Sequence, residues 1–208
     1  DAKSKDGHSV LLHSTAHLMA QAVKRLFPKT KVTIGPFLEN RFYYDFDVNS
    51  PFTEDDLLEI ENEMMKISEE NLEISHQEKS RNEALAFFEK IDESYKVEII
   101  NDLDKDETLK VYSQGEFTDL CRGPHVHSTG QIKHFKILSS SAAYWRGDEK
   151  NQTLQRVYGT SFQNSKDLKK YLQMLEEQKK RDHRKIGKEL DLFFFDDEVG
   201  PGLPLWTP

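Results

Sequence analysis

Two short motifs carry side chains suited to chemistry. His13-Ser-Thr-Ala-His17 sets two imidazoles four residues apart, and on a helix that spacing turns both toward one face, one turn apart. Cys121-Arg-Gly-Pro-His125 follows a strand-like segment, and Gly123-Pro124 bends the chain so that Cys121 and His125 can face one cleft. Together the motifs supply four donors of the types zinc favours. A helix with two histidines is more often a polar face than a ligand set. The chain's single cysteine, with a histidine four residues later, lifts the functional reading above that one. The glutamate of a metalloprotease HExxH motif is absent, because Ser14 stands there. Asp119 lies two residues before Cys121, so a strand over 116–120 puts both on one face. Lys96 in Ser94-Tyr-Lys-Val, and Tyr43, Tyr44 and Asp45 in FYYDF, complete the polar candidates. Spacing alone leaves a structural reading open for each: Asp119 capping a turn, Lys96 solvated, the tyrosines in the core with a wet hydroxyl.

The elements that must position these groups follow from periodicity. Val10, His13, His17, Ala20 and Val23 recur at helical spacing within 9–27, and Pro28 ends the pattern. Thr53 followed by Asp55 and Asp56 opens a helix over 53–70, and a further helix is expected around 81–90. Strands are expected over 31–34, 41–48, 71–75, 93–100, 109–113, 116–120, 135–138, 142–146 and 154–158, with DLDKDE a charged turn before the fifth. A long charged helix is expected over 165–190, after which LFFFDDEVGPGLPLWTP turns apolar and then rich in Gly and Pro, as the first residues of another domain would. Helices and strands alternate without βαβ regularity. The expected class is α+β, with largely antiparallel sheet and packed helices forming a cleft.

The 208 residues suffice for one large domain, or one domain and part of another. Thirteen Phe and seven Tyr exclude a disordered chain. No apolar run reaches membrane-spanning length, and the first residues hold no signal-peptide core. One cysteine cannot form an internal disulfide, so a reducing, cytoplasmic setting is expected. The net charge of −8 is unevenly spread: residues 45–108 hold 21 acidic and 6 basic side chains, whereas 179–188 hold six basic and one acidic. An acidic body with a basic arm can still hold a polyanion when contact is confined to the arm and the site.

HSTAHLMAQAV, IGPFLENRFYYDFD, FTDLCRGPHV, AAYWRGDEKNQTLQRVYGTSF and KRDHRKIGKELDLF resemble the editing region of bacterial-type threonyl-tRNA synthetases, in the same order and over nearly the whole chain. The resemblance implies an editing domain (of the SAD type) over 1–163, a linker helix over 164–190 and the start of a class II catalytic domain over 191–208. It implies hydrolysis of seryl-tRNA(Thr), with threonyl-tRNA(Thr) excluded by size. ATP, magnesium and a zinc site would serve a full-length, homodimeric, threonine-ligating enzyme, and this stretch alone would be a monomer with no cofactor. Arg41, where the family often has Gly, and His127, where it often has Pro, depart from the pattern beside the site.

The resemblance also carries roles. His13 is expected to position or deprotonate water, with Cys121 and His125 sharing the task and Lys96 stabilising the oxyanion or the leaving 3′ oxygen. Asp119 would take the seryl ammonium or hydroxyl, and His17 and Tyr44 would hold the seryl group and the terminal adenosine. Lys179, Lys180, Arg181, Arg184, Lys185 and Lys188 would meet the tRNA backbone. The alternatives are zinc on His13, His17, Cys121 and His125 in a deacylase of the alanyl-editing type, an acyl-enzyme on Cys121 with His125 or His13 as its base, and a noncatalytic tRNA-docking module.

Overall fold

A computed structural model describes residues 4–104, 107–181, 186–187, 189–195, 199–200 and 203–207. The chain divides into two compact units, Asp1–Ser165 and Lys166–Pro208. The class is α+β, and every strand pair is antiparallel.

In the first unit, helix α1 (Lys5–Leu26) begins where the Ser4 side chain accepts from the Gly7 N–H at 3.1 Å. Strands β1 (Lys31–Val32) and β2 (Phe42–Asp47) lead to α2 (Glu54–Glu70). A reciprocal Thr53–Asp56 capping box opens α2, and left-handed Asn71 closes it. Strand β3 (Ile74–Lys79), helix α3 (Arg81–Lys90), helix α4 (Ser94–Asp102), β4 (Leu109–Gln114) and β5 (Phe117–Leu120) follow. Long β6 (His134–Tyr144) and β7 (Thr153–Phe162) complete the unit. One sheet runs β1-β2-β7-β6 and the other β3-β4-β5.

The core explains this order. Phe42, Tyr44 and Phe46 alternate onto one face of β2 and are fully buried against α1, whose Leu11, Leu12, Ala16, Leu18 and Met19 are also buried. Ser14 and Thr15 are buried as well, and each satisfies its hydroxyl on the carbonyl four residues earlier. Helix α1 is therefore covered nearly all round and touches β2 and β7 of one sheet and β5 of the other. That position brings side chains of both sheets to the helix face bearing His13 and His17.

Several expected elements differ. Residues 93–100 read as a strand because Tyr95, Val97 and Ile99 alternate, yet α4 occupies this span. The helix wins because it sits between two apolar clusters. Tyr95 and Ile99 pack with Trp145 and Leu154, while Val97 and Ile100 pack with Phe88 and Val111. The two strands expected over 135–146 are one strand, with a bulge between Ile137 and Ser139. Strand β3 begins at Ile74 and not at 71.

In the second unit, α5 (Ser165–Lys180) ends before the expected residue 190, with Arg181 in a turn. Lys179 and Lys180 lie in its last turn, where cations complement the helix dipole. The apolar tail pairs β8 (Phe193–Phe195) with β9 (Pro204–Trp206). No helix among the described residues is long and apolar enough to cross a membrane.

Candidate active site

Two elements of the first unit build one cluster. Helix α1 supplies His13 and His17, and the turn after β5 supplies Cys121 and His125. One donor atom from each of these four lies within 4.8 Å of the others. The imidazole of His125 is 4.4 Å from that of His13 and 4.2 Å from that of His17, centre to centre. Cys121 Sγ is 3.2 Å from His13 Nε2 and 3.2 Å from His125 Nε2, and it accepts from the Gly123 N–H at 3.1 Å. Gly123 has φ +67°, and a Cβ there would lie 2.0 Å from the Tyr112 hydroxyl, so the turn requires glycine.

One assignment of protons satisfies every contact in the cluster. The Ser14 hydroxyl gives its one proton to the Val10 carbonyl at 2.8 Å. Its oxygen can then only accept, from the Val126 N–H at 3.0 Å and from His125 Nδ1 at 3.0 Å. His125 therefore carries its proton on Nδ1, and its Nε2 lone pair receives the Cys121 S–H. With that proton spent, His13 donates from Nε2 to the sulfur, which leaves His13 Nδ1 as an open base.

Burial keeps the cluster uncharged. It lowers the pKa values of His13, His17 and His125, with the neighbouring imidazoles adding to the effect at His17 and His125. Burial pushes the Cys121 thiol up to about 12. At neutral pH the group holds three neutral imidazoles and a thiol.

Beside it lies a charged floor. Lys96, from α4, pairs with Asp119 Oδ1, and both side chains are 2 % exposed. Asp119 also accepts from the Leu120 N–H at 2.8 Å and the Tyr44 hydroxyl at 2.6 Å. Lys96 donates further to the Thr33 carbonyl at 2.5 Å and to the Tyr44 oxygen at 3.2 Å. His17 Nε2 lies 3.5 Å from Asp119 Oδ2 and joins the two groups.

All seven pocket residues expected from sequence, His13, His17, Tyr44, Lys96, Asp119, Cys121 and His125, thus converge. Tyr43 does not: it lies on the other face of β2, with the Arg156 guanidinium 4.0 Å above its ring. Lys179, Lys180 and Arg181 belong to the second unit and are exposed. Arg184, Lys185 and Lys188 lie outside the described residues. Arg41 closes a turn by accepting from the Leu38 N–H at 2.7 Å, and its φ is not positive, so no glycine is needed there. His127 is not in the donor cluster; its carbonyl pairs with the Ile74 N–H at 2.9 Å.

Sequence reasoning missed Tyr112 and the structural part of Ser14. Tyr112 is 8 % exposed and sets its ring 4.6 Å from that of His125. Its only sequence signal is its register opposite Asp119, which becomes visible once β4 and β5 are paired.

The donor set also fits a metal. Zinc bonds of roughly 2.0–2.3 Å put tetrahedral ligands about 3.3–3.8 Å apart, and the four donors, within 4.8 Å of one another, would need to draw together by about an ångström at most. The Ser14 oxygen on His125 Nδ1 is the kind of outer contact that orients a metal-ligating imidazole.

Residues 109–158 match the family described as the threonyl and alanyl tRNA synthetase second additional domain. The chain is 58% identical over 206 residues to the threonine–tRNA ligase of Pelobacter propionicus, covering 99% of this chain and 32% of that protein. It is 58% identical over 199 residues to that of Anoxybacillus flavithermus (96% and 31%) and 57% identical over 199 residues to that of Geobacillus kaustophilus (96% and 30%). The chain spans about a third of the length of the curated relatives it matches.

Proposed function

We propose that this chain, similar over nearly its whole length to threonine–tRNA ligases and carrying their second additional domain, is an editing hydrolase that cleaves the ester of seryl-tRNA(Thr) and spares threonyl-tRNA(Thr). The observation that carries this reading is the placement of His13, which burial keeps neutral, beside the buried Lys96–Asp119–Tyr44 floor. An aminoacyl ester is already activated, so the catalyst mainly orients water and takes its proton. His13 does this at Nδ1, while Cys121 and His125 hold its ring through the sulfur. Lys96 steadies the negative charge that develops on the carbonyl or the leaving 3′ oxygen. The seryl ammonium or hydroxyl goes to Asp119 in exchange for the 3.5 Å contact with His17, the longest of the four that the carboxylate makes. His17 and Tyr44 hold the seryl group and the terminal adenosine.

Selectivity rests on size. One methyl group is worth only about 1–3 kcal/mol to a binding site, so a synthetic site cannot reject serine strongly, whereas a hydrolytic pocket can exclude threonine by clash. The wall must not retreat. The Gly35 backbone lies so close to Tyr44 that a Cβ would stand 2.3 Å from its ring, which pins that ring in place.

In the complete protein the partner would be tRNA(Thr), met by the basic stretch of 179–188 and by the cleft. The parent would ligate threonine with ATP, magnesium and a zinc held outside this stretch, as a cytoplasmic homodimer, with this stretch alone a monomer. A second reading places zinc on His13, His17, Cys121 and His125, and the 4.8 Å donor cluster favours it. With all four as ligands a tetrahedral zinc would be closed and structural, and it would acidify a water molecule only with one of the four left unbound.

The test is deacylation of seryl- and threonyl-tRNA(Thr) by this chain, with and without a chelator and beside a full-length control. Selective, chelator-insensitive loss of the seryl ester is the expected result. Loss abolished by chelation would install the zinc reading. Tight tRNA binding without hydrolysis would leave a docking module.

A further inference from the structure

The segment from Thr33 to Leu38 runs along the cleft and touches each of its parts. The Thr33 carbonyl accepts from Lys96, the Gly35 backbone presses on the Tyr44 ring, and the Phe37 ring lies 5.7 Å from that of His13. The segment is held firmly. The Asp45 N–H donates to the Ile34 carbonyl at 3.1 Å and the Tyr43 N–H to the Pro36 carbonyl at 3.1 Å. Phe37 itself bridges to Phe42.

Phe37 differs from every other aromatic ring packed on the imidazoles. Tyr44, Tyr112 and Phe117 are at most 8 % exposed, whereas Phe37 is 43 % exposed. Ile34 and Leu38 beside it are 42 % and 52 % exposed. An apolar segment fixed by backbone hydrogen bonds beside the buried polar residues thus leaves Phe37 substantially exposed to solvent.

We infer that Phe37 is a stacking platform for the terminal nucleobase of the substrate, which makes this segment a base subsite separate from the groups that handle the ester. The inference rests on the reading that the ligand is a nucleoside ester. With the ester carbonyl at His13, the base lies one sugar ring away, and Phe37 is the exposed ring in contact with His13. Stacking suits this place because any base offers a π-face and the ring asks for no hydrogen bond.

The test is calorimetric binding of a non-hydrolysable 3′-seryl-amido adenosine to wild type and to three variants. Phe37→Ala is expected to weaken binding by about tenfold to a hundredfold, the scale of one lost base stack. Phe37→Trp restores affinity. Phe37→Leu, which keeps an apolar contact with His13 but has no π-face, stays weak. Binding by Phe37→Ala within about twofold of wild type would overturn the inference. So would rescue by Leu as full as rescue by Trp, or a wild type that does not bind the analogue at millimolar concentration. Phe37-dependent binding of the analogue, combined with no deacylation of seryl-tRNA(Thr), would sink the hydrolase reading and leave the base subsite standing.

Discussion

The imidazole–thiol group and the Lys96–Asp119–Tyr44 group meet at His17, yet opposite means stabilise them. The first has no formal charge. Desolvation holds its histidines neutral and its thiol protonated, and the Ser14 hydroxyl and Cys121 thiol protons each have one acceptor. The second keeps an ammonium and a carboxylate out of water, and it works only because Asp119 and Lys96 spend their hydrogen-bonding capacity on each other, on Tyr44 and on backbone. A neutral group tolerates the loss of one member, since the others stay uncharged. A buried ion pair does not, because removing one partner strands the other.

Asp119→Ala should show this most sharply. It leaves Lys96 buried without its partner and should cost about 3–5 kcal/mol of stability, read as a lower denaturation midpoint, together with loss of hydrolysis. A midpoint shift below about 1 kcal/mol would erase the contrast between the two halves. His13→Ala should act the other way round. Hydrolysis should fall by about a hundredfold to ten-thousandfold, the usual contribution of a positioned base, while the midpoint stays close to wild type and seryl-analogue binding survives. Unchanged turnover would remove His13 from the chemistry.

The two halves were not equally legible in the sequence. The neutral half comes from two local motifs, so HSTAH and CRGPH suffice to name its four members. The charged half depends on placement. Lys96 sits on a segment whose alternating Tyr95, Val97 and Ile99 imitate a strand, and only the apolar clusters on either side of α4 make it helical. Tyr112 needed the β4–β5 register. Ser14 needed the spatial approach of His125, 111 residues away along the chain. Short-range pattern reports helix faces and turns; it does not report which face meets which. The shared α+β class and the convergence of seven residues follow from both kinds of information together.

The pH dependence sharpens the comparison further. His17 has a folded pKa well below its unfolded value near 6.5, so between the two the unfolded chain binds the extra proton. Stability should therefore fall as pH drops below 6.5, by about 1.4 kcal/mol per pH unit from His17 alone. Cys121 works at the other end. Its folded pKa is raised to about 12, so the unfolded thiol ionises first, and stability should fall again as pH rises above about 9. Thermal midpoints across pH 4–11 should trace a plateau between these limits, and a midpoint still rising below pH 6.5 would contradict the neutral-imidazole assignment.

The smallest effect expected is that of Cys121→Ser. A thiol with its pKa near 12 is no thiolate nucleophile at neutral pH, and here it serves as a proton-bearing spacer between two imidazoles. Serine keeps one O–H donor and an acceptor oxygen at that place, so it can still give a proton to His125 Nε2 and receive one from His13 Nε2. Its shorter bond lengthens both contacts, so hydrolysis should fall by no more than about tenfold, equivalent to about 1.4 kcal/mol in the barrier. Loss of all turnover in this variant, without loss of fold, would say that sulfur is needed as sulfur. An acyl-enzyme trapped on Cys121 in rapidly quenched wild type would then assign it as nucleophile. A stoichiometric metal lost from the variant would assign it as a zinc ligand. Near-normal turnover would leave the neutral half of the cleft as a relay of imidazoles, working beside the charged half without borrowing its charge.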